Sequence, residues 1–183
     1  MQNKRVLLLG LVGLVLLALT TVALASTDGS KPPKTLVEAV RQATAQFKDV
    51  DKAEKAGYAF LHGCVSGPQG GAMGVHFANG NLVGDGVLDV QHPEALLYEP
   101  RDGKLQFVGV EYIVLAEAWD AHNQAPPVLM GQFFNYVGAP NRYRLPGFYE
   151  LHVWAGKSNP DGMFADWNPR VSCADFAGLG SHH

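Results

Sequence analysis

Apolar residues follow three patterns along this chain. Val6 to Leu19 is a nearly unbroken apolar run behind Lys4 and Arg5, whereas from Thr35 the apolar positions recur at helical spacing. After Tyr58 they come in short runs of Val, Leu, Phe and Tyr punctuated by Gly, Pro and Asn. The helical stretch predicts a helix over 36–48, with Val37, Val40, Thr44 and Phe47 along one stripe. Thr35-x-x-Glu38 has the spacing of a capping box, in which hydroxyl and carboxylate satisfy backbone donors left over at the helix start. Asp51-x-x-Glu54 repeats that spacing, and Gly57 is suited to ending a second, short helix.

The later runs predict strands. The clearest unit is a hairpin, 94–99 and 104–115, turning on Asp102-Gly103, a pair that tolerates the positive φ angles of a two-residue loop. Further strands are expected near 74–78, 148–155 and, as one short strand in a long loop, 130–136, with a turn at Asn159-Pro160-Asp161-Gly162. Along the second hairpin strand, strict alternation puts Leu105, Phe107, Glu111, Ile113 and Leu115 on one face and Val108, Val110, Tyr112 and Val114 on the other. A sheet apolar on both sides must be covered on both, or curl so that one side lines an interior. The expectation is an α+β fold, N-terminal helices packed on a curved, mainly antiparallel sheet or small barrel.

The opening run changes the picture of the whole chain. A basic start, a short apolar core and Ala23-Leu24-Ala25 before Ser26 are the parts of a secretion signal, and the run is shorter than the roughly 18 residues of a spanning helix. An uncleaved anchor is the alternative. Residues 1–25 are read as a signal peptide, 26–34 as a flexible Gly- and Pro-containing lead-in, 35–176 as one globular domain and 177–183 as a frayed tail, whose His182 and His183 pick up metal adventitiously. Cleavage after Ala25 leaves 158 of the 183 residues, enough for an ordinary core, with no membrane span remaining. The leader carries two of the 14 basic residues and none of the 17 acidic ones, so the mature net charge is −5. No Lys/Arg cluster remains to bind phosphate, which argues against nucleic acid as a partner. Export to a periplasm, envelope or extracellular space also bears on Cys64 and Cys173. In an oxidising compartment an isolated pair is expected to be joined; a redox or metal-binding thiol pair would more naturally have Cys-x-x-Cys spacing.

Three apolar strands each contain ionisable groups: His76 in 74–78, Glu111 in 109–113, and Glu150 with His152 in 149–154. Burying such groups is costly unless they are paired, hydrogen-bonded or metal-bound. Alternation puts Glu150, His152 and Trp154 on one face, and a two-residue hairpin loop would set Glu94 opposite Glu111. Two imidazoles and a carboxylate from separate strands can hold a divalent transition metal with positions to spare, so His76, Glu111 and His152 are candidate ligands. Glu150 is an alternative oxygen ligand or a partner that orients His152. Met73, three residues before His76, adds a thioether suited to copper. The competing reading is a buried His/Glu hydrogen-bond network in a structural or interaction protein of the cell envelope, with the Pro-rich loop at 124–128 meeting a partner. No His-Glu-x-x-His or nucleophile-elbow motif points to a particular reaction.

The segments Ala72-Met-Gly-Val-His76, Pro93-Glu-Ala-Leu-Leu-Tyr-Glu-Pro100, Val108-Gly-Val-Glu-Tyr112, Tyr149-Glu-Leu-His-Val-Trp154 and Ala165-Asp-Trp-Asn-Pro-Arg-Val-Ser-Cys173 resemble a group of exported bacterial proteins of unassigned activity. The resemblance covers most of the mature chain; it implies a shared fold and no reaction. Cupins also hold metal with His and Glu in small barrels, but the paired-His motif that defines them is missing here.

Overall fold

The structure, a computed structural model, describes residues 35–67 and 70–179; the leader, the lead-in and the last four residues fall outside the described residues. Helix α1 (Leu36–Ala43) opens on the expected capping box, with Thr35 Oγ1 accepting from the Glu38 amide and the Glu38 carboxylate accepting from that of Thr35. It ends sooner than the apolar stripe predicts. The Thr44 hydroxyl donates back to the Val40 carbonyl at 2.7 Å, a local bond that competes with helix propagation, and Phe47 enters the core from a separate 3-10 turn, Ala45–Lys48. Helix α2 (Val50–Lys55) is capped by Asp49 rather than Asp51, because Asp49 Oδ1 accepts from the Asp51 amide. Gly57 follows at φ 93°, the left-handed conformation that favours glycine.

Strands β1 (Ala59–Ser66) and β2 (Ala72–Ala78) pair antiparallel, and β3 (Ala95–Arg101) and β4 (Lys104–Leu115) form the expected hairpin. Asp102 and Gly103 have φ of 51° and 72°, as its turn requires. The region expected to hold one short strand instead makes a small hairpin, β5 (Val128–Leu129) and β6 (Gln132–Phe133), around Met130-Gly131 at φ 46° and 84°. Strand β7 (Asn135–Val137) then pairs with β8 (Phe148–Val153), completing a six-stranded antiparallel sheet in the order β1-β2-β3-β4-β8-β7. Two short helices, α3 (Gly80–Val83) and α4 (Ala116–Asp120), lie in the connections, and Phe176–Leu179 forms a 3-10 turn. The fold is α+β, a curled antiparallel half-barrel with the N-terminal helices on one face.

One irregularity redirects side chains at the centre. Tyr98 pairs with Phe107 but Leu97 pairs with Gly109, so Val108 is an extra, bulged residue in β4. The bulge shifts the register by one, and Glu111 faces Ala95, not Glu94 as an unbroken hairpin would give. It also changes which side chains share a face. Phe107 packs with Val110 and Tyr112 beneath α1, whereas Val108 joins Leu97 and Trp154 on the opposite side, the side of Glu111 and Ile113. Gly109 is needed here because a Cβ would stand 2.6 Å from the Val153 carbonyl oxygen on β8.

Cys64 of β1 and Cys173 near the C-terminal turn are joined by a disulfide that closes a separation of 109 residues. Among the described residues no helix is long and apolar enough to cross a membrane.

Candidate metal centre

His76 stands on β2, Glu111 on β4, and Glu150 and His152 on β8, all on the face turned away from α1. In a flat sheet β2 and β8 would lie about 14 Å apart, three strand spacings. The His76 and His152 ring centroids are 6.5 Å apart, so the sheet curls towards this face and carries the side chains inward with it. Ala95, the β3 residue paired with Glu111, contributes only a methyl group and leaves the space between β2 and β4 free for longer side chains. Two small apolar clusters flank the polar groups. Leu97, Val108 and Trp154 lie on one side and Ala95, Ile113 and Phe148 on the other, and the Trp154 ring stacks on His152 at 6.2 Å.

His76, Glu111 and His152 are almost completely buried, and one ligand atom from each lies within 4.8 Å of the others. His76 Nε2 is 3.5 Å from Glu111 Oε2. Two ligands about 2.1 Å from a tetrahedral ion are themselves about 3.4 Å apart, so this pair already has the separation a single ion needs. Glu150, His152 and Asp166 form a second group of the same compactness, sharing His152 with the first. His152 Nδ1 is 3.7 Å from Asp166 Oδ1.

The electrostatics suit a cation. Burial lowers the His76 imidazole to about 3, helped by His152 and His62, while the Gly74 backbone pulls weakly the other way. Burial also lowers His152, against the pull of Glu150 and Asp166. Both rings are therefore neutral at ordinary pH, the form in which imidazole binds metal. Glu111 is pushed well above the usual carboxylate range by burial, and further by the charge of Glu150 and a hydrogen bond with it. Its protonated form is thereby favoured, and a bound cation would replace that proton. Three buried nitrogens, Nδ1 of His76 and both ring nitrogens of His152, make no hydrogen bond of normal geometry with the described residues, although the Gly74 backbone still favours the protonated form of His76. Buried polar atoms are nearly always satisfied, so these three need an explanation that the protein's own groups do not supply.

The structure brings the four candidate ligands together, and it places Glu94, expected opposite Glu111, elsewhere. The Glu94 carboxylate accepts from the Ile113 amide at 3.0 Å, and burial raises it to about 8. Three contributors escape a reading based on alternation. Tyr143 holds its hydroxyl 3.4 Å from His76 Nε2 and 3.5 Å from Met73 Sδ, His62 pairs across β1–β2 with His76 and packs edge-on against Tyr143, and Asp166 approaches His152. Tyr143 and Asp166 lie in loops, which carry no periodic signal. His62 lies on β1, whose pairing with β2 is broken three times by register shifts. A cavity of about 200 Å³ is lined by Met73, Tyr143, Glu150 and Asp166, with Arg142 and Trp167 at its wall, and so meets the cluster on its Glu150–Asp166 side. No family model, no curated protein and no solved structure matches the chain, so the functional reading rests on the geometry of the site itself.

Proposed function

We propose that this is an exported metal-binding domain whose ion, a divalent transition metal, is held by His76, Glu111 and His152, with Glu150 beside them as an alternative oxygen donor. The observation that carries the reading is the convergence of two neutral imidazoles and a carboxylate within 4.8 Å, in a setting where three of the four imidazole nitrogens lack partners. A two-nitrogen, one-oxygen set suits zinc, iron or copper, and the cavity meets the site at Glu150. The disulfide favours an oxidising compartment, in keeping with the leader-like sequence at the start of the chain.

The second reading is a structural or interaction protein in which the same groups form a hydrogen-bonded core. The Glu111–Glu150 hydrogen bond favours it, and the exposed Val128 and Phe133 beside the Pro-rich loop offer a surface for a partner. A closed network would satisfy its imidazoles, and this one does not.

Equilibrium dialysis against zinc separates the two. The chain carrying His182→Ala and His183→Ala, so that tail imidazoles do not contribute, is expected to retain stoichiometric zinc, and His76→Ala or His152→Ala in that background to lose it while keeping the β-sheet circular-dichroism signal. Absence of zinc from the parent, with the same substitutions merely lowering stability, would establish the structural reading instead.

A further inference from the structure

His152 belongs to both compact ligand groups, one with His76 and Glu111 and the other with Glu150 and Asp166. A single ring can serve two ions only by giving one nitrogen to each. Both nitrogens of His152 are buried and without hydrogen-bond partners among the described residues, and the ring itself is fully enclosed. An imidazole that merely ligates one ion normally donates its other N–H to a carboxylate or carbonyl. Here Nδ1 stops 3.7 Å from Asp166 Oδ1, too far for a hydrogen bond but a spacing that two ligands of one ion adopt.

Resting on the proposed metal site, we infer that the centre holds two divalent transition ions: an inner one on His76, Glu111 and His152, and an outer one on Glu150, Asp166 and His152, with the deprotonated His152 ring bridging them. The outer position differs from the inner in access. Glu150 and Asp166 line the cavity, and the Asp166 side chain is 34% exposed while those of His76 and Glu111 are at 0% and 2%. The outer ion can therefore exchange with solvent and take a small ligand, and the inner one is held within the sheet. Asp166 Oδ1, the oxygen that faces His152 Nδ1, also accepts from Asn135 Nδ2 at 3.1 Å, which fixes it at the cavity wall and leaves its second lone pair for an ion.

Copper(II) is the probe, added in excess to the metal-free chain carrying His182→Ala and His183→Ala, followed by gel filtration and copper analysis. Two coppers per chain are expected, with a weak or absent electron paramagnetic resonance signal because spins bridged by imidazolate couple antiferromagnetically. Asp166→Ala and, as a sterically conservative second variant, Glu150→Gln are expected to bind one copper and to give a full one-spin signal. A parent that binds one copper, with Asp166→Ala unchanged, overturns the two-ion centre and leaves the single-ion reading standing; in that case Asp166 orients His152. Two coppers with uncoupled spins overturn the bridge. No copper in the parent overturns both readings.

Discussion

His76 Nε2 lies 3.5 Å from Glu111 Oε2 although an entire strand, β3, separates the strands that bear them. Curling of the sheet and the small side chain of Ala95 make that approach possible. Burial favours the protonated form of the Glu111 carboxyl, and Gln imitates that form. Glu111→Gln is expected to alter stability by less than about 1 kcal/mol in urea denaturation, yet to weaken zinc binding by at least about tenfold. A large loss of stability with no change in zinc affinity would show that the carboxyl serves the fold alone.

The pH dependence of stability in the metal-free protein has two opposed limbs. Glu94 titrates at about 8 when folded, against 4.5 ordinarily, so its proton favours the folded state; the contribution is complete below 4.5 and is lost as pH rises through 8. Glu111, also raised, acts in the same direction. His76, lowered to about 3 from 6.5, contributes stability that is present above 6.5 and lost as pH falls towards 3. Denaturation midpoints should therefore pass through a maximum in mildly acidic solution. Glu94→Gln, whose amide oxygen can still accept from Ile113, should flatten the alkaline limb; an identical slope in parent and variant would refute the assignment.

The disulfide between Cys64 and Cys173 closes a long loop, and the chain-entropy model gives it about 4–5 kcal/mol, an upper value for most proteins. Unfolded, unreduced protein should show no free thiol. Replacing both residues by Ser should lower the melting temperature while leaving a folded sheet, because Cys64 only packs, half-buried, against a main core that Val40, Phe77, Tyr98 and Val153 build.

Gly109→Ala tests the bulge. Its added methyl would meet the Val153 carbonyl at 2.6 Å, a backbone atom that cannot swing aside, and the strain is expected to cost about 1–3 kcal/mol. Because β4 and β8 carry Glu111 and His152 as a cross-strand pair, spreading them should also weaken zinc binding. Gly80→Ala, with open space at its Cβ, is the control and should leave both properties unchanged.

Much of the site was legible because period-two alternation is strict in β8, where Glu150 and His152 could only emerge together, and because an ionisable side chain in an apolar strand is conspicuous. The disulfide followed from the presence of just two cysteines in a chain with an export-like start. The bulge left no such mark. Phe107 and Val108 are both apolar and both faces of β4 are covered, so inserting one unpaired residue disturbs no hydrophobic pattern. That is why Glu94 is predicted to face Glu111 and Phe107 to share its face, neither of which occurs. Thr44 misled in a similar way: it fits the helical stripe, and its back-bonding hydroxyl ends the helix there.

Zinc K-edge X-ray absorption of the zinc-loaded chain carrying His182→Ala and His183→Ala tests the central claim most directly. At one zinc per chain the account predicts a first shell of nitrogen and oxygen near 2.0–2.1 Å with outer-shell scattering from two imidazoles. A shell of oxygen alone, with no imidazole scattering in the parent, would contradict it.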